Sequence, residues 1–228
     1  FSGIKGISIS NAECVGFPRA DELFNIAKNG KIFKGKTATL FFSPPEEKSR
    51  CISIEVFNRL NILEKVENFY LIFINIANIL KDTPFVIKLK RGGDHLVYFE
   101  GFLKRKNISL SENIKIVVGG SPVDVIINSK VVAGFNTSTL LESLILGKTL
   151  IEPRIFSDKN DLSYSYLGQY PGTSNYVSSI DDMIGIINEP DKFSSSSSIR
   201  RKALKYYYGY LDGISADRVT KVLLNTIT

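Results

Sequence analysis

Val131-Val-Ala-Gly-Phe-Asn-Thr-Ser-Thr-Leu-Leu-Glu-Ser-Leu-Ile-Leu-Gly-Lys-Thr-Leu-Ile151 is the stretch whose reading decides the fold. It begins with an apolar run ending at Ala133, and Gly134 permits a sharp turn. From near Asn136 the apolar residues take helical spacing, and a second apolar run covers Thr149 to Ile151. That is strand, helix, strand. Both runs are apolar throughout rather than alternating, which suits parallel strands covered on both faces. Asn136, Thr137, Ser138 and Thr139 crowd the helix's first turn. Its unpaired backbone N–H groups and positive dipole end form an anion site. Three successive hydroxyls add donors for phosphate oxygens, and Glu142, one turn on, could accept both hydroxyls of a ribose. The same residues also fit ordinary helix capping, with Thr139 and Glu142 as a capping box. Placement at a strand's carboxyl end, where doubly wound sheets bind ligands, favours the site.

Outward from this block the pattern repeats. Thr37 to Phe42 reads as a strand stopped by Ser43-Pro44-Pro45. A long helix is predicted from about Cys51 to Lys81. Pro84 to Leu89 is the next strand, followed by a turn at Gly92-Gly93 and a short helix over Leu96 to Lys104. Ile114 to Val118 is another strand, ended by Gly119-Gly120-Ser121-Pro122, and a short helix spans Val123 to Asn128. This alternation predicts an α/β fold: a Rossmann-like, doubly wound, mainly parallel sheet with helices on both faces. Ser194 to Ser198 reads as a mobile loop or linker. Beyond it Ile199 to Tyr210 and Ser215 to Ile227 read as two C-terminal helices, the second capped by Ser215.

Further candidate contacts lie at other carboxyl ends. Lys88, Lys90 and Arg91 with His95 beside Gly92-Gly93 could neutralise a diphosphate leaving group, or form a solvated basic loop. Lys88 has the better claim because it lies inside a strand pattern. Ser43 sits where a small residue lets a ligand approach the backbone, although Pro44-Pro45 is also plain strand termination. Gly119 and Gly120 could border a base pocket. Tyr206, Tyr207, Tyr208 and Tyr210 beside Arg200, Arg201, Lys202 and Lys205 resemble an amphipathic surface. They could pack on the sheet, or sit at an anionic membrane face.

Composition narrows the classes. The 228 residues carry 29 Lys+Arg against 23 Asp+Glu, a net charge of +6, and are 43% hydrophobic. That is ample for a core and excludes a disordered chain. No apolar run reaches the ~20 residues of a membrane helix. No secretion signal is visible, so the Asn136-Thr137-Ser138 glycosylation sequon is discounted. Cys14 and Cys51 form no metal pattern and read as reduced thiols of a cytoplasmic protein. His95 is the single histidine, so no zinc site with the usual ligands can be completed. Without an RNP-type or helix-turn-helix signature, the spread charge argues against nucleic acid.

Several segments together resemble GT-B-type transferases of surface polysaccharide synthesis. Gly16-Phe-Pro-Arg-Ala-Asp21 is similar to the family's GxPRxD junction, and Thr39 to Pro44 and Phe85 to Lys90 to its first two strands. Val131 to Pro153 is similar to its xxxxNSTxxxEAxxxGKPxIxP block, and Asp212 to Val219 to its DGxASxRV ending. The resemblance implies two facing Rossmann-like domains, of which this is the donor-binding one. Residues 1–20 would be a remnant of the junction, 21–193 the nucleotide-sugar-binding domain, and 194–228 a serine-rich loop and helices packing on it or on the other domain. By motif, Asn136 to Thr139 would hold the donor diphosphate, Glu142 the ribose, and Lys88 a phosphate. Where related glycerophosphotransferases carry a His-Pro pair, this chain has Lys90-Arg91-Gly92, with His95 as the only substitute. The chain opens on Phe1 with almost nothing before the GxPRxD match, so it reads as a piece of something longer, with the acceptor domain and its base outside it. The implied donor is a nucleotide-diphosphate sugar and the implied acceptor a surface polysaccharide or lipid-linked chain. No cofactor is implied, and the place is the cytoplasm, peripheral at the inner membrane face. Alternatives are a CDP-glycerol-type transferase and a non-catalytic nucleotide-binding scaffold. A sugar-nucleotide 2-epimerase needs several acidic and histidine groups around the sugar, which a single histidine disfavours.

Overall fold

The computed structural model describes residues 13–29, 35–45, 54–155 and 167–227. Six strands, β1 (Thr37–Phe41), β2 (Phe85–Leu89), β3 (Ile114–Val118), β4 (Ser129–Gly134), β5 (Thr149–Pro153) and β6 (Asn175–Val177), form one sheet in the order β3-β2-β1-β4-β5-β6. Every pairing is parallel. The chain therefore winds outward from β1 to β3, returns to the other side of β1, and winds outward again. β1 and β4 flank the point where the order reverses, and a crevice opens beyond their carboxyl ends.

The strand side chains explain the two helical layers. Ala38, Leu40, Val131, Ala133 and Ile151 face one core, while Phe41, Val132 and Leu150 face the other. Because successive strand residues point to opposite faces, uniformly apolar strands bury both. The first core is roofed by α2 (Ile54–Arg59), α3 (Ile62–Ile79), α4 (Gly93–Arg105) and α7 (Ile180–Asn188). The second is roofed by α1 (Asp21–Lys28), α5 (Pro122–Asn128), α6 (Ser138–Ile145) and α8 (Ser197–Tyr208). α9 (Ser215–Ile227) ends the chain. α4 is fastened to α3 by Glu67, which accepts from Arg105 at 2.7 Å and Tyr98 at 2.9 Å and pairs with Lys106 at 3.2 Å. Burial raises the Glu67 pKa, but those three partners outweigh it and hold the carboxyl below its usual range.

The strands of the sequence reading lie within two residues of their observed bounds, and three of its features are corrected. The long predicted helix is two helices, because Asn61 adopts a left-handed φ of 50° and breaks the register between α2 and α3; residues 51–53 lie outside the described ones. The serine run is no linker. Ser195 is buried, the Ser196 hydroxyl accepts the Ile199 N–H at 3.3 Å, and α8 starts at Ser197. Serine favours a helix N-terminus as readily as a loop. At α9 it is the Asp21 carboxylate that accepts the Ala216 N–H at 2.8 Å. β6 and α7 escaped the reading altogether. Tyr208 is buried against Phe24 and Phe17, at ring distances of 5.5 and 5.8 Å, whereas Tyr206 is exposed.

Candidate functional site: the crevice at the sheet reversal

Four strand ends supply the crevice. Phe41, Phe42 and Ser43 leave β1, Leu89, Lys90 and Arg91 leave β2, Gly119 and Gly120 leave β3, and Thr137, Ser138 and Thr139 open α6 after β4; together with Lys88 and Arg19 they line a cavity of about 360 Å³. Four of its lining side chains, Arg19, Lys88, Lys90 and Arg91, are cationic, and none is acidic.

Each wall has a local cause. The Ser43 backbone is pinned by Tyr70, whose hydroxyl donates to the Ser43 carbonyl at 2.8 Å. Gly119 and Gly120 turn the chain away from β3 with φ of 68° and 76°, a left-handed pair that side chains resist. Arg91 lies against Gly119, where an added Cβ would come within 3.2 Å of the Arg91 Cβ. At the β4 end Asn136 takes φ 46° and redirects the chain, and Thr137 becomes the N-cap, its hydroxyl accepting the Thr139 N–H at 3.4 Å. The cap is thus Thr137 rather than Thr139. The first backbone N–H groups of α6 lie beside residues that line the cavity, where they favour an anion.

Lys88 is the buried charge of the site, 5% exposed, and its ammonium donates to the carbonyls of Leu89 at 3.0 Å and Gly119 at 2.5 Å. Burial pushes its pKa below the ordinary lysine value. An ammonium has three hydrogens, so a third can point to a ligand oxygen. A phosphate there would restore the charge that burial opposes.

The sequence candidates divide. Ser43, Lys88, Arg91, Gly119, Gly120, Thr137, Ser138 and Thr139 meet at the cavity. His95, in the first turn of α4, is not among its lining residues. Asn136 stands at the turn behind the wall, and its buried Oδ1 has no hydrogen-bond partner. Glu142 is also behind the wall, 5% exposed, with Oε1 3.4 Å from the Arg19 guanidinium. Burial raises the Glu142 pKa and Arg19 pulls it back. Arg19 is the one cationic lining residue, among those described, that the sequence reading did not assign to the site. The signal was present in the GxPRxD segment, but nothing local tied it to Glu142. Among the described residues no group of three or more His, Cys, Asp or Glu is arranged to hold a metal ion. No helix among them is long and apolar enough to cross a membrane.

No protein-family model and no curated relative matches the chain. Solved structures do match in fold. A UDP-GlcNAc 2-epimerase from Methanocaldococcus jannaschii in complex with UDP-GlcNAc and UDP superposes with a TM-score of 0.53 at 13% identity, over 97% of this chain and 57% of that one. A second structure of the Methanocaldococcus jannaschii enzyme gives 0.52 at 13% identity, over 97% and 58%. The chain therefore spans little more than half the length of these structures. At such identity the likeness is one of fold, a Rossmann-like α/β domain with an all-parallel sheet.

Proposed function

We propose that the chain is the donor-binding half of a GT-B glycosyltransferase, taking a nucleotide-diphosphate sugar and passing the sugar to a surface polysaccharide or lipid-linked acceptor. The observation that carries this is the crevice at the sheet reversal, lined by four cations and no acid, with the hydroxyl-rich start of α6 at its wall. That is an environment for a diphosphate. The fold likeness to an enzyme whose structure holds UDP-GlcNAc and UDP supports the nucleotide class.

In this reading the acceptor hydroxyl attacks the anomeric carbon, the bond from that carbon to the diphosphate oxygen breaks, and the electron pair leaves with the diphosphate. The hydroxyl proton passes to a base on the acceptor side, outside these residues. Lys88, the hydroxyls of Thr137 to Thr139 and the N–H groups of α6 stabilise the negative charge as it develops. Such pre-aimed donors act most strongly where water is excluded. Lys88 is well suited, since its two carbonyl contacts hold the ammonium in place before the ligand arrives.

Calorimetry of the 228-residue chain with UDP, CDP and GDP tests the proposal. Binding on the order of micromolar is expected for at least one of them. Lys88→Met, with a native circular-dichroism spectrum, should weaken it by about tenfold or more, the scale of one charge-assisted phosphate contact. Absence of binding to all three nucleotides would overturn the assignment.

A further inference from the structure

Arg19 joins two parts of the molecule that no sequence pattern connects. On one side its guanidinium lines the crevice and lies 3.4 Å from Glu142. On the other it belongs to the short 3₁₀ turn Pro18–Ala20, which runs directly into α1. Pro18 presets the turn, and buried Ala20, Leu23 and Phe24 anchor it and the start of α1. α1 in turn holds the segment that leads into α9 at three points. Asp21 accepts the Ala216 N–H at 2.8 Å, Asn25 donates to the Gly213 carbonyl at 3.1 Å, and the Lys28 ammonium donates to the Asp212 carbonyl. That segment is stiffened from within: Arg218 donates to Asp212 at 3.1 Å and lies 3.8 Å over the Tyr210 ring. The two motifs nearest the chain's ends are thus one interlocked unit, and the side chain it offers to the crevice is Arg19.

We infer that Arg19 binds the diphosphate of the nucleotide ligand, and that its aim is set by the anchoring of the 212–216 segment, at the start of α9, onto α1. The inference rests on the donor-site reading above and adds to it a residue and a regulatory coupling. A guanidinium carries five N–H donors in a planar fork suited to two phosphate oxygens. One edge is engaged by Glu142, so the side chain can hold that carboxylate and a phosphate together. Glu142, which does not itself line the crevice, then orients Arg19. The link to α9 has a thermodynamic consequence. If docking of α9 favours the arginine conformation that meets phosphate, ligand binding must stabilise the docked helix by the same factor. Asp21, which does not line the crevice, is in this scheme a positioning residue.

Two measurements on the 228-residue chain, using whichever of UDP, CDP and GDP binds it, test the coupling. Saturating nucleotide should slow hydrogen exchange of the amides in 215–227, and Arg19→Ala should abolish that protection while weakening binding by about tenfold. Asp21→Ala should weaken binding severalfold in the wild-type background and not at all in the Arg19→Ala background, a non-additivity that mere loss of stability would not produce. Should Asp21→Ala fail to fold, Asn25→Ala loosens the same turn and takes its place in the cycle. Arg19→Lys, which keeps the charge but not the fork, should restore only part of the affinity. If the wild-type chain binds no nucleotide, the donor-site reading fails. If it binds while Arg19→Ala binds as tightly, or while α9 exchange is unchanged, the coupling through Arg19 alone is overturned.

Discussion

Lys148 shows how much a single buried cation shapes the molecule. It follows Gly147 in the block that decides the fold, is 5% exposed, and donates to the Ile127 carbonyl at 2.9 Å. Burial lowers its pKa from 10.5 to about 8. Between those values the unfolded chain holds a proton that the folded chain does not, so stability rises with pH. Lys88 and Lys130, also lowered by burial, act in the same direction. Tyr70, Tyr98 and Tyr208, raised by burial, oppose it once unfolded tyrosines ionise near about pH 10. Urea denaturation should therefore show stability increasing from about pH 8 toward pH 10, with Lys148 contributing up to ~1.4 kcal/mol per pH unit. Lys148→Met should flatten that rise, and an unchanged slope would refute the role given to Lys148. At this scale the sequence was legible where a charge interrupted an apolar pattern, as at Lys88. It was silent on the pairing of Arg19 with Glu142, which depends on the path of the chain between them and on no local spacing.

Among the elements, the strands were the most legible because both of their faces are buried, which leaves continuous apolar runs between turn residues. β6 was not, since Asn175–Val177 is three residues at a sheet edge with only Val177 buried. The break between α2 and α3 was hidden for another reason: Asn61 carries no Gly or Pro signal, and the apolar periodicity runs on through it. Its conformation is left-handed, with φ 50° and ψ 47°, and its side chain donates to Glu64. Alanine there must adopt the same backbone at a cost of about 1–2 kcal/mol, while glycine adopts it readily. Asn61→Ala should thus lower the unfolding free energy by about 1 kcal/mol more than Asn61→Gly, even though both lose the bond to Glu64. Equal losses in thermal or urea denaturation would show that Asn61 is held by its side chain and not by its backbone. The serine run teaches the converse lesson. Composition alone suggests a loop, but one well-placed hydroxyl, Ser196, suffices to start α8.

For the whole molecule, the arrangement of strands matters more than any motif. The sheet reverses between β1 and β4, so four carboxyl ends converge, and residues from Arg19 to Thr139 come to surround one cavity. The sequence indicated which ends would carry polar or basic residues. It did not indicate that the GxPRxD turn would stand over the same place, or that α9 would be tied to α1. The account as a whole depends on a diphosphate seated in that crevice. The most direct test is a crystal structure of the chain grown or soaked with UDP, or with CDP or GDP if calorimetry favours either. The expected result is density for the diphosphate within hydrogen-bonding reach of Lys88 Nζ and the Thr137 to Thr139 segment, with the nucleoside leading toward Glu142. Nucleotide bound only at another surface, with the crevice filled by its own side chains, would contradict it.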